Sequence, residues 1–158
     1  MHKMTGRVAI VTGASRGIGQ AIAELFAAEG AKVVCVARTL NEGDHQLKGS
    51  LASTVAGIKA VGGEATAVAA DISSEAECLR LVEAARAAYG RVDTLVNNAA
   101  LNYYIPTVDY PTNRWIKAFA VNVHAPFILA KAVLPDLRAR SGETAAESVA
   151  HALLPARA

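Results

Sequence analysis

Apolar and polar positions along the chain form blocks that predict strands and helices in turn. Four short apolar runs, each of a length suited to a buried strand, cover residues 7–12, 32–37, 65–70 and 92–96. The stretches between them carry the three- and four-residue spacing of amphipathic helices. Because strands and helices alternate with short loops, the sequence predicts an α/β, Rossmann-type, doubly wound parallel sheet of about four strands. The expected strand order is 3-2-1-4.

Apolar spacing also predicts which face each helix buries. The first helix is expected to end at Gly30 and to bury Ile18, Ala21, Ile22, Leu25 and Phe26. A second spans about 50–60, with Leu51, Val55 and Ile58 turned inward. The third begins at Ser74, with Glu77 at capping-box spacing, and buries Cys78, Leu81, Val82 and Ala85. A long helix from about Pro111 to near Leu137 is expected to bury Ile116, Phe119, Ala120, Val123 and Phe127.

Composition narrows the class of protein. With 158 residues, 53% apolar and 19% charged, the chain is expected to fold as one domain. A net charge of +2 is too small to indicate a nucleic-acid partner. The two cysteines fall at predicted buried positions, and the four histidines lack metal-ligand spacing. No apolar leader and no segment of membrane-span length is expected, so the prediction is a cytoplasmic protein without metal or membrane partner.

Three glycines follow the first strand and open the first helix. Gly13, Gly17 and Gly19 stand in the spacing Gly-x-x-x-Gly-x-Gly, inside a strand–helix–strand unit. Glycines in this place allow a tight turn, a close approach of backbone to phosphate, and close packing of the helix. The pattern predicts a pyrophosphate cradle at the helix N-terminus. The alternative is a glycine turn with a structural role only.

The residues that end the second and third strands predict the kind of dinucleotide. Arg38, followed by Thr39, stands where an acidic residue would bind the adenine ribose of NAD, and Arg16 lies in the glycine loop. Two guanidinium groups suit a 2′-phosphate and therefore NADP, although Arg38 could instead be a solvated loop residue. Asp71 ends the third strand and is placed to accept a hydrogen bond from the adenine amino group. The alternative is that Asp71 begins a turn.

Taken in order, these motifs resemble the short-chain dehydrogenase/reductase family. The segments that carry the resemblance are Thr12–Gly19, Asp71-Ile72, Asn97-Asn98-Ala99-Ala100 and Asn122-Val123, and it extends over about residues 4–141. The resemblance implies hydride transfer between NADP(H) and a small carbonyl compound or secondary alcohol. It also implies that Asn98 stabilises the central sheet. The dinucleotide-binding set is expected to be Gly13, Ser15, Arg16, Gly17, Ile18, Gly19, Arg38, Thr39, Asp71, Ile72, Asn98, Ala99, Ala100 and Val121.

Asn122 matches one of the catalytic positions of that family. Pro126 lies four residues later and has no N–H, so the backbone carbonyl of Asn122 loses its partner in the helix. The helix is expected to be disturbed there, and the free carbonyl can hold a water molecule, as the family's proton relay requires. The alternative is a kink that serves packing alone.

The chain departs from the family pattern after this helix. None of its four tyrosines has a lysine four residues later, and the nearest candidate, Tyr110, is followed by Arg114. Residues 142–158 form an alanine-rich tail, so the expected domain is an incomplete one over residues 1–141. We expect weak or no catalysis and an open edge at the fourth strand, which favours self-association, pairing with a homologue, or cover by the tail. A non-catalytic nucleotide-binding protein and a gene fragment are the alternatives.

Overall fold

A computed structural model describes residues 2–141 of the chain. Its strands are β1 (Val8–Thr12), β2 (Lys32–Ala37), β3 (Glu64–Ala69) and β4 (Thr94–Val96). Its helices are α1 (Gly17–Ala28), α2 (Leu51–Ala60), α3 (Glu75–Tyr89), α4 (Thr112–Phe119) and α5 (Ala125–Ser141). A short 3-10 turn covers Thr107–Asp109, and a π-helical turn, Ala120–His124, joins α4 to α5. The tail, 142–158, lies outside the described residues, so its separation from the domain stays a prediction.

The four strands form one parallel sheet in the order β3-β2-β1-β4, which confirms the predicted fold class and strand order. Ile10 of β1 lies opposite Val34 of β2 and Leu95 of β4. One face of the sheet packs against α3 and α5, and the other against α1 and α2. Because both faces are covered, the strands need apolar residues at almost every position, which explains their unbroken apolar runs.

Helix α1 buries a different face from the one predicted. Ile18 is 50% exposed and Leu25 is 59% exposed, whereas Gly19, Ala23 and Ala27 are buried. Ala21 is also exposed, and Ile22 and Phe26 are only partly buried. At the start of the helix the glycine loop leaves no room for a side chain, because a Cβ on Gly19 would collide with the Gly13 carbonyl. The same inner face continues with Ala23 and Ala27, which pack in the core beside the sheet. The prediction from apolar spacing was therefore wrong by a rotation of the helix.

The long helix also turns another face inward. Val121, Ala125, Leu129, Val133 and Leu137 are buried at four-residue intervals, and α4 buries no residue. The residues that were expected to be buried are instead exposed or half-buried, namely Ile116, Phe119, Ala120, Val123 and Phe127. Two apolar stripes run along this helix, and the aliphatic one fits between the sheet and α3.

This helix also corrects the expectation that no segment has the length of a membrane span. Thr112–Ala139 forms 28 continuous helical residues with a mean hydropathy of 1.4 in its most apolar window, which suffices to cross a membrane by length and composition. Length and composition do not distinguish a span from a helix that packs inside a folded domain. One stripe of this helix belongs to the core that α3 and the sheet share, and 22% of its most apolar window is buried.

Polar side chains lie at the start of three elements. Asp93 precedes β4, and its buried carboxylate accepts a hydrogen bond from the N–H of Val8 in β1, 2.8 Å away. Asp93 also pairs with Arg91 at 3.0 Å. Of the predicted capping box at Ser74 and Glu77, one half is present: the Ser74 hydroxyl accepts from the N–H of Glu77 at 3.5 Å, whereas the Glu77 carboxylate binds Arg80. A full capping box that the sequence analysis missed starts α2 at Ser50.

Candidate functional site

A cavity of about 520 Å³ lies at the carboxyl ends of the strands, where the order reverses between β1 and β4. This is the place where doubly wound sheets bind ligands. Every residue of the predicted dinucleotide-binding set lines it except Gly17. The lining residues that the sequence analysis missed are Val36, Ala37, His45, Leu47, Ala70 and Leu101. The structure thus brings the predicted residues together around one cavity.

The glycine loop forms the floor of the cavity. Gly13 has a φ of 71°, and a Cβ there would lie 2.8 Å from the side-chain nitrogen of Asn98. A Cβ on Gly19 would collide with the carbonyl group of Gly13. Helix α1 begins at Gly17, and its N-cap residue, Arg16, makes no side-chain capping hydrogen bond. The first-turn N–H groups of α1 are therefore left without a side-chain cap, as an anion-binding helix N-terminus requires.

Thr12 joins the glycine loop to the end of β4. Its buried hydroxyl donates to the carbonyl of Val96 and accepts from the N–H groups of Asn98 and Ala99, each at 3.1 Å. These three bonds use the donor and both acceptor sites of a hydroxyl. Thr12 begins the glycine motif, but the sequence alone assigns it no role, because its partners lie more than 80 residues away.

Asn98 holds the same junction from the other side. Its side-chain nitrogen donates to the carbonyl of Thr12 at 2.9 Å and to that of Gly13 at 3.5 Å. The side chain therefore fixes the loop on which a pyrophosphate would rest. This position agrees with the sheet-stabilising role that the family resemblance implies.

A cationic corner closes the cavity beyond β2. The Arg16 guanidinium donates to the Thr39 hydroxyl at 3.2 Å and to the Gly49 carbonyl at 2.7 Å, and it contacts His45 Nδ1 at 3.0 Å. Its Nε is buried and has no hydrogen-bond partner among the described residues. Arg38 is exposed at the end of β2 and lines the same cavity. Two guanidinium groups therefore border one part of the cavity.

Asp71 stands at the opposite wall, after β3. Its carboxylate accepts from the N–H and hydroxyl of Ser73, and its other oxygen lies 3.6 Å from Lys117 Nζ. Burial raises the pKa of Asp71, but the Ser73 hydrogen bonds and the charges of Lys117 and Arg38 outweigh it and lower the pKa. The carboxyl group is therefore ionised at neutral pH and available as a hydrogen-bond acceptor. It also makes the turn that the alternative interpretation predicted, and its contact with an adenine amino group stays a prediction.

Asn122 lies in the π-helical turn and borders a second cavity of about 300 Å³. Its side chain accepts from the N–H of Leu101 at 2.9 Å and donates to the carbonyl of Leu101 at 2.8 Å. Leu101 lines both cavities and so connects them. The predicted disturbance by Pro126 takes the form of this wide turn, in which the N–H of Ala125 donates to the carbonyl of Ala120, five residues back.

Other candidate chemistry is absent from the described part of the chain. Among residues 2–141, no three His, Cys, Asp or Glu side chains converge on a possible metal site. Cys35 and Cys78 are buried free thiols. Burial raises the pKa of Cys35 to about 12 and that of Cys78 to about 11, so neither is a reactive thiolate at neutral pH.

Comparison with known proteins identifies the family. The sequence profile described as short chain dehydrogenase matches residues 7–146. The chain belongs to this family. It is 42% identical over 137 residues to a short chain dehydrogenase of Pseudocercospora fijiensis, and the aligned region covers 85% of this chain and 42% of the relative. It is 36% identical to hydroxysteroid dehydrogenase-like protein 2 of Homo sapiens, over 86% of this chain and 32% of the relative. The chain thus spans less than half the length of these relatives.

Solved structures of other short chain dehydrogenases share the fold. A metagenomic short-chain oxidoreductase in complex with NADP superposes with a TM-score of 0.77 at 38% identity, covering 85% of this chain and 58% of that one. A 3-oxoacyl (acyl-carrier-protein) reductase from Agrobacterium tumefaciens with NADP bound superposes with a TM-score of 0.76 at 35% identity, covering 87% of this chain and 50% of that one. Both neighbours hold a nicotinamide dinucleotide.

Proposed function

We propose that this chain forms the NADP(H)-binding part of a short chain dehydrogenase that transfers hydride between NADP(H) and a carbonyl compound or secondary alcohol. The observation that carries the proposal is the cationic corner beside β2, where Arg16 and Arg38 border the cavity. The acidic groups of the neighbouring loop, Glu42 and Asp44, bind backbone N–H groups of their own loop. A 2′-phosphate would therefore meet two guanidinium groups at this corner.

The remaining residues of the cavity fit the other parts of a dinucleotide. The uncapped first turn of α1 suits the pyrophosphate, and the ionised Asp71 carboxylate suits the adenine amino group. Small residues at the end of β4, Ala99 and Ala100, leave room for the dinucleotide beside the strand. The neighbours that hold NADP support the same class of ligand.

Binding and cofactor choice are tested by calorimetric titration of the purified polypeptide with NADP and with NAD. We expect NADP to bind about tenfold or more tightly than NAD, since a charge-assisted hydrogen bond contributes about 1.5–3 kcal/mol. Arg38→Asp should weaken NADP binding and reduce the difference between the two ligands. Lys131→Asp makes the same change of charge at an exposed position on α5 outside the cavity, and it should leave both affinities unchanged. Equal affinity of the unaltered protein for NADP and NAD would contradict the proposal.

The dinucleotide supplies the hydride, so the protein's part is to bind, orient and move a proton. We propose that the backbone carbonyl of Asn122 holds a water molecule of the proton relay, because Pro126 cannot donate to that carbonyl. No tyrosine of the sequence is followed four residues later by lysine. The 158-residue polypeptide should therefore bind NADPH but reduce carbonyl compounds with it more slowly than about 1 s⁻¹, a turnover rate that enzymes ordinarily reach. Faster turnover would show that another residue acts as general acid.

A cytoplasmic location is proposed on the two buried cysteines, which remain free thiols. Free thiols are typical of a reducing compartment. Carbonyl compounds or alcohols are proposed as the substrate class from the family alone, and no particular substrate is proposed.

A further inference from the structure

His45 belongs to the cationic corner, although neither the motifs nor the family comparison gives it a role. It lies in the polar loop between β2 and α2 and lines the cavity. Its Nδ1 is 3.0 Å from the Arg16 Nη1 atom and 3.0 Å from the backbone nitrogen of Leu47. The imidazole therefore touches a guanidinium group that already borders the proposed phosphate site.

The two contacts define the protonation state of the ring. A guanidinium N–H and a backbone N–H can only donate, so His45 Nδ1 is the acceptor in both contacts and shares its single lone pair between them. The ring is therefore neutral in this arrangement, with its proton on Nε2. A proton on Nδ1 would face two donors and would break both contacts.

We propose that His45 is a third ligand of the 2′-phosphate of NADP and couples the choice between NADP and NAD to pH. The proposal rests on the function proposed above and deepens it. Without the phosphate, the neutral imidazole holds Arg16 by accepting from it. When a 2′-phosphate enters the corner, Arg16 donates to the phosphate and leaves Nδ1. The ring then turns away from the N–H of Leu47, takes a proton from solvent on Nδ1, and donates this N–H to the phosphate as well. Binding NADP, but not NAD, thus takes up a proton.

The charged groups around the ring do not compete for this role. Those that flank it or face it across the cavity are Arg16, Arg38, Glu42, Asp44, Lys48 and Asp71. The Glu42 pKa is lowered, first by the backbone N–H of Gly49. Aspartate, glutamate, lysine and arginine side chains ordinarily titrate outside the range from about pH 5.5 to about 8.5. Phosphate monoesters and imidazoles are the classes of group that ordinarily change charge within that range.

The test compares wild-type protein with His45→Asn by calorimetry with NADP and NAD across that pH range. Asparagine keeps an acceptor at the place of Nδ1, so the loop retains its contacts, but it does not titrate. We expect the NADP-to-NAD affinity ratio to rise about five- to tenfold more on acidification in wild type than in the variant. The phosphate's own titration is common to both proteins and cancels. His124→Asn removes an exposed histidine away from the cavity and should behave as wild type.

A second measurement follows the ring directly, by NMR titration of His45 with and without 2′,5′-ADP. Protonation linked to phosphate binding should raise the His45 pKa in the presence of this ligand, and 5′-AMP should not raise it. The inference would be overturned if wild type and His45→Asn gave identical pH profiles, or if 2′,5′-ADP left the His45 pKa unchanged. In either case, tight NADP binding would still support the proposed function. Failure to bind either dinucleotide would overturn both.

Discussion

Replacement of Thr12 by valine tests how the site is joined to the sheet. Valine has nearly the volume of threonine, so no cavity forms, but the hydroxyl that serves Val96, Asn98 and Ala99 is lost. Thr12 is 1% exposed, so water cannot easily replace the missing partner. A buried polar group left without a partner costs about 1–3 kcal/mol, and three such groups that relax partly together should cost about 2–4 kcal/mol.

The free energy of unfolding is measured by urea denaturation followed by far-ultraviolet circular dichroism. A domain of this size loses roughly 2–4 °C in Tm for each kcal/mol, so Thr12→Val should melt about 4–16 °C lower. Thr12→Ser is the matched control, because it keeps the hydroxyl and loses only a buried methyl group, at a cost of about 1 kcal/mol. If Thr12→Val is as stable as wild type, or more stable than Thr12→Ser, then the hydroxyl does not hold the junction.

Three further changes test other parts of the structure. Gly19→Ala should lower the free energy of unfolding by more than about 2 kcal/mol in urea denaturation, because the alanine Cβ would collide with the Gly13 carbonyl. A free energy of unfolding equal to that of wild type would refute this close approach. Asn122→Ala should cost about 1–3 kcal/mol in the same assay, since both backbone groups of Leu101 lose their partner, and an unchanged value would show that water replaces it. The exposed apolar side chains of the long helix predict self-association that grows with concentration in sedimentation velocity and weakens in Phe127→Glu, which removes a side chain that is 67% exposed. A monomer at every concentration would contradict this last prediction.

The sheet could be predicted because its signals are local. Each strand is an unbroken apolar run, and the right-handed crossover rule leaves few orders for alternating strands and helices. The cavity residues that directly follow a strand could be predicted for the same reason, since the carboxyl ends of parallel strands meet at one edge, whereas others, such as Ser15 and Ile18, came from the family resemblance. Gly13, Arg38, Asp71 and Asn98 were found by their position after a strand, without knowledge of any distant contact.

The helix faces could not be predicted from apolar spacing. In α1 the inner face begins at Gly19, where the Gly13 carbonyl leaves no room for a side chain, and it continues with the small residue Ala23 instead of the large Leu25. The long helix carries two apolar stripes, and either could have been buried. The stripe that contains Leu129 is buried because it fits the surface between the sheet and α3. Which helix face is buried depends on which segments meet in space, and the periodicity of apolar residues carries no information about those contacts.

The polar side chains that organise the site were missed because their partners are far away in the sequence. Asp93 binds the N–H of Val8, and Thr12 binds the end of β4, so both link the first strand to the last one described. His45 comes from a loop without periodicity and gains its role only when the loop meets Arg16.

The cavity residues come from the ends of all four strands, so a dinucleotide that contacts them would bind the folded chain and not the unfolded one. At a concentration of 100 times its Kd, such a ligand raises the free energy of unfolding by about 2.7 kcal/mol. That gain is close to the expected loss in Thr12→Val, so saturating NADP should restore most of the lost Tm if the variant still binds it. NAD at the same concentration should restore less, because it lacks the phosphate that meets Arg16 and Arg38. Equal recovery with both ligands, measured by thermal denaturation, would show that the cationic corner does not contribute to binding.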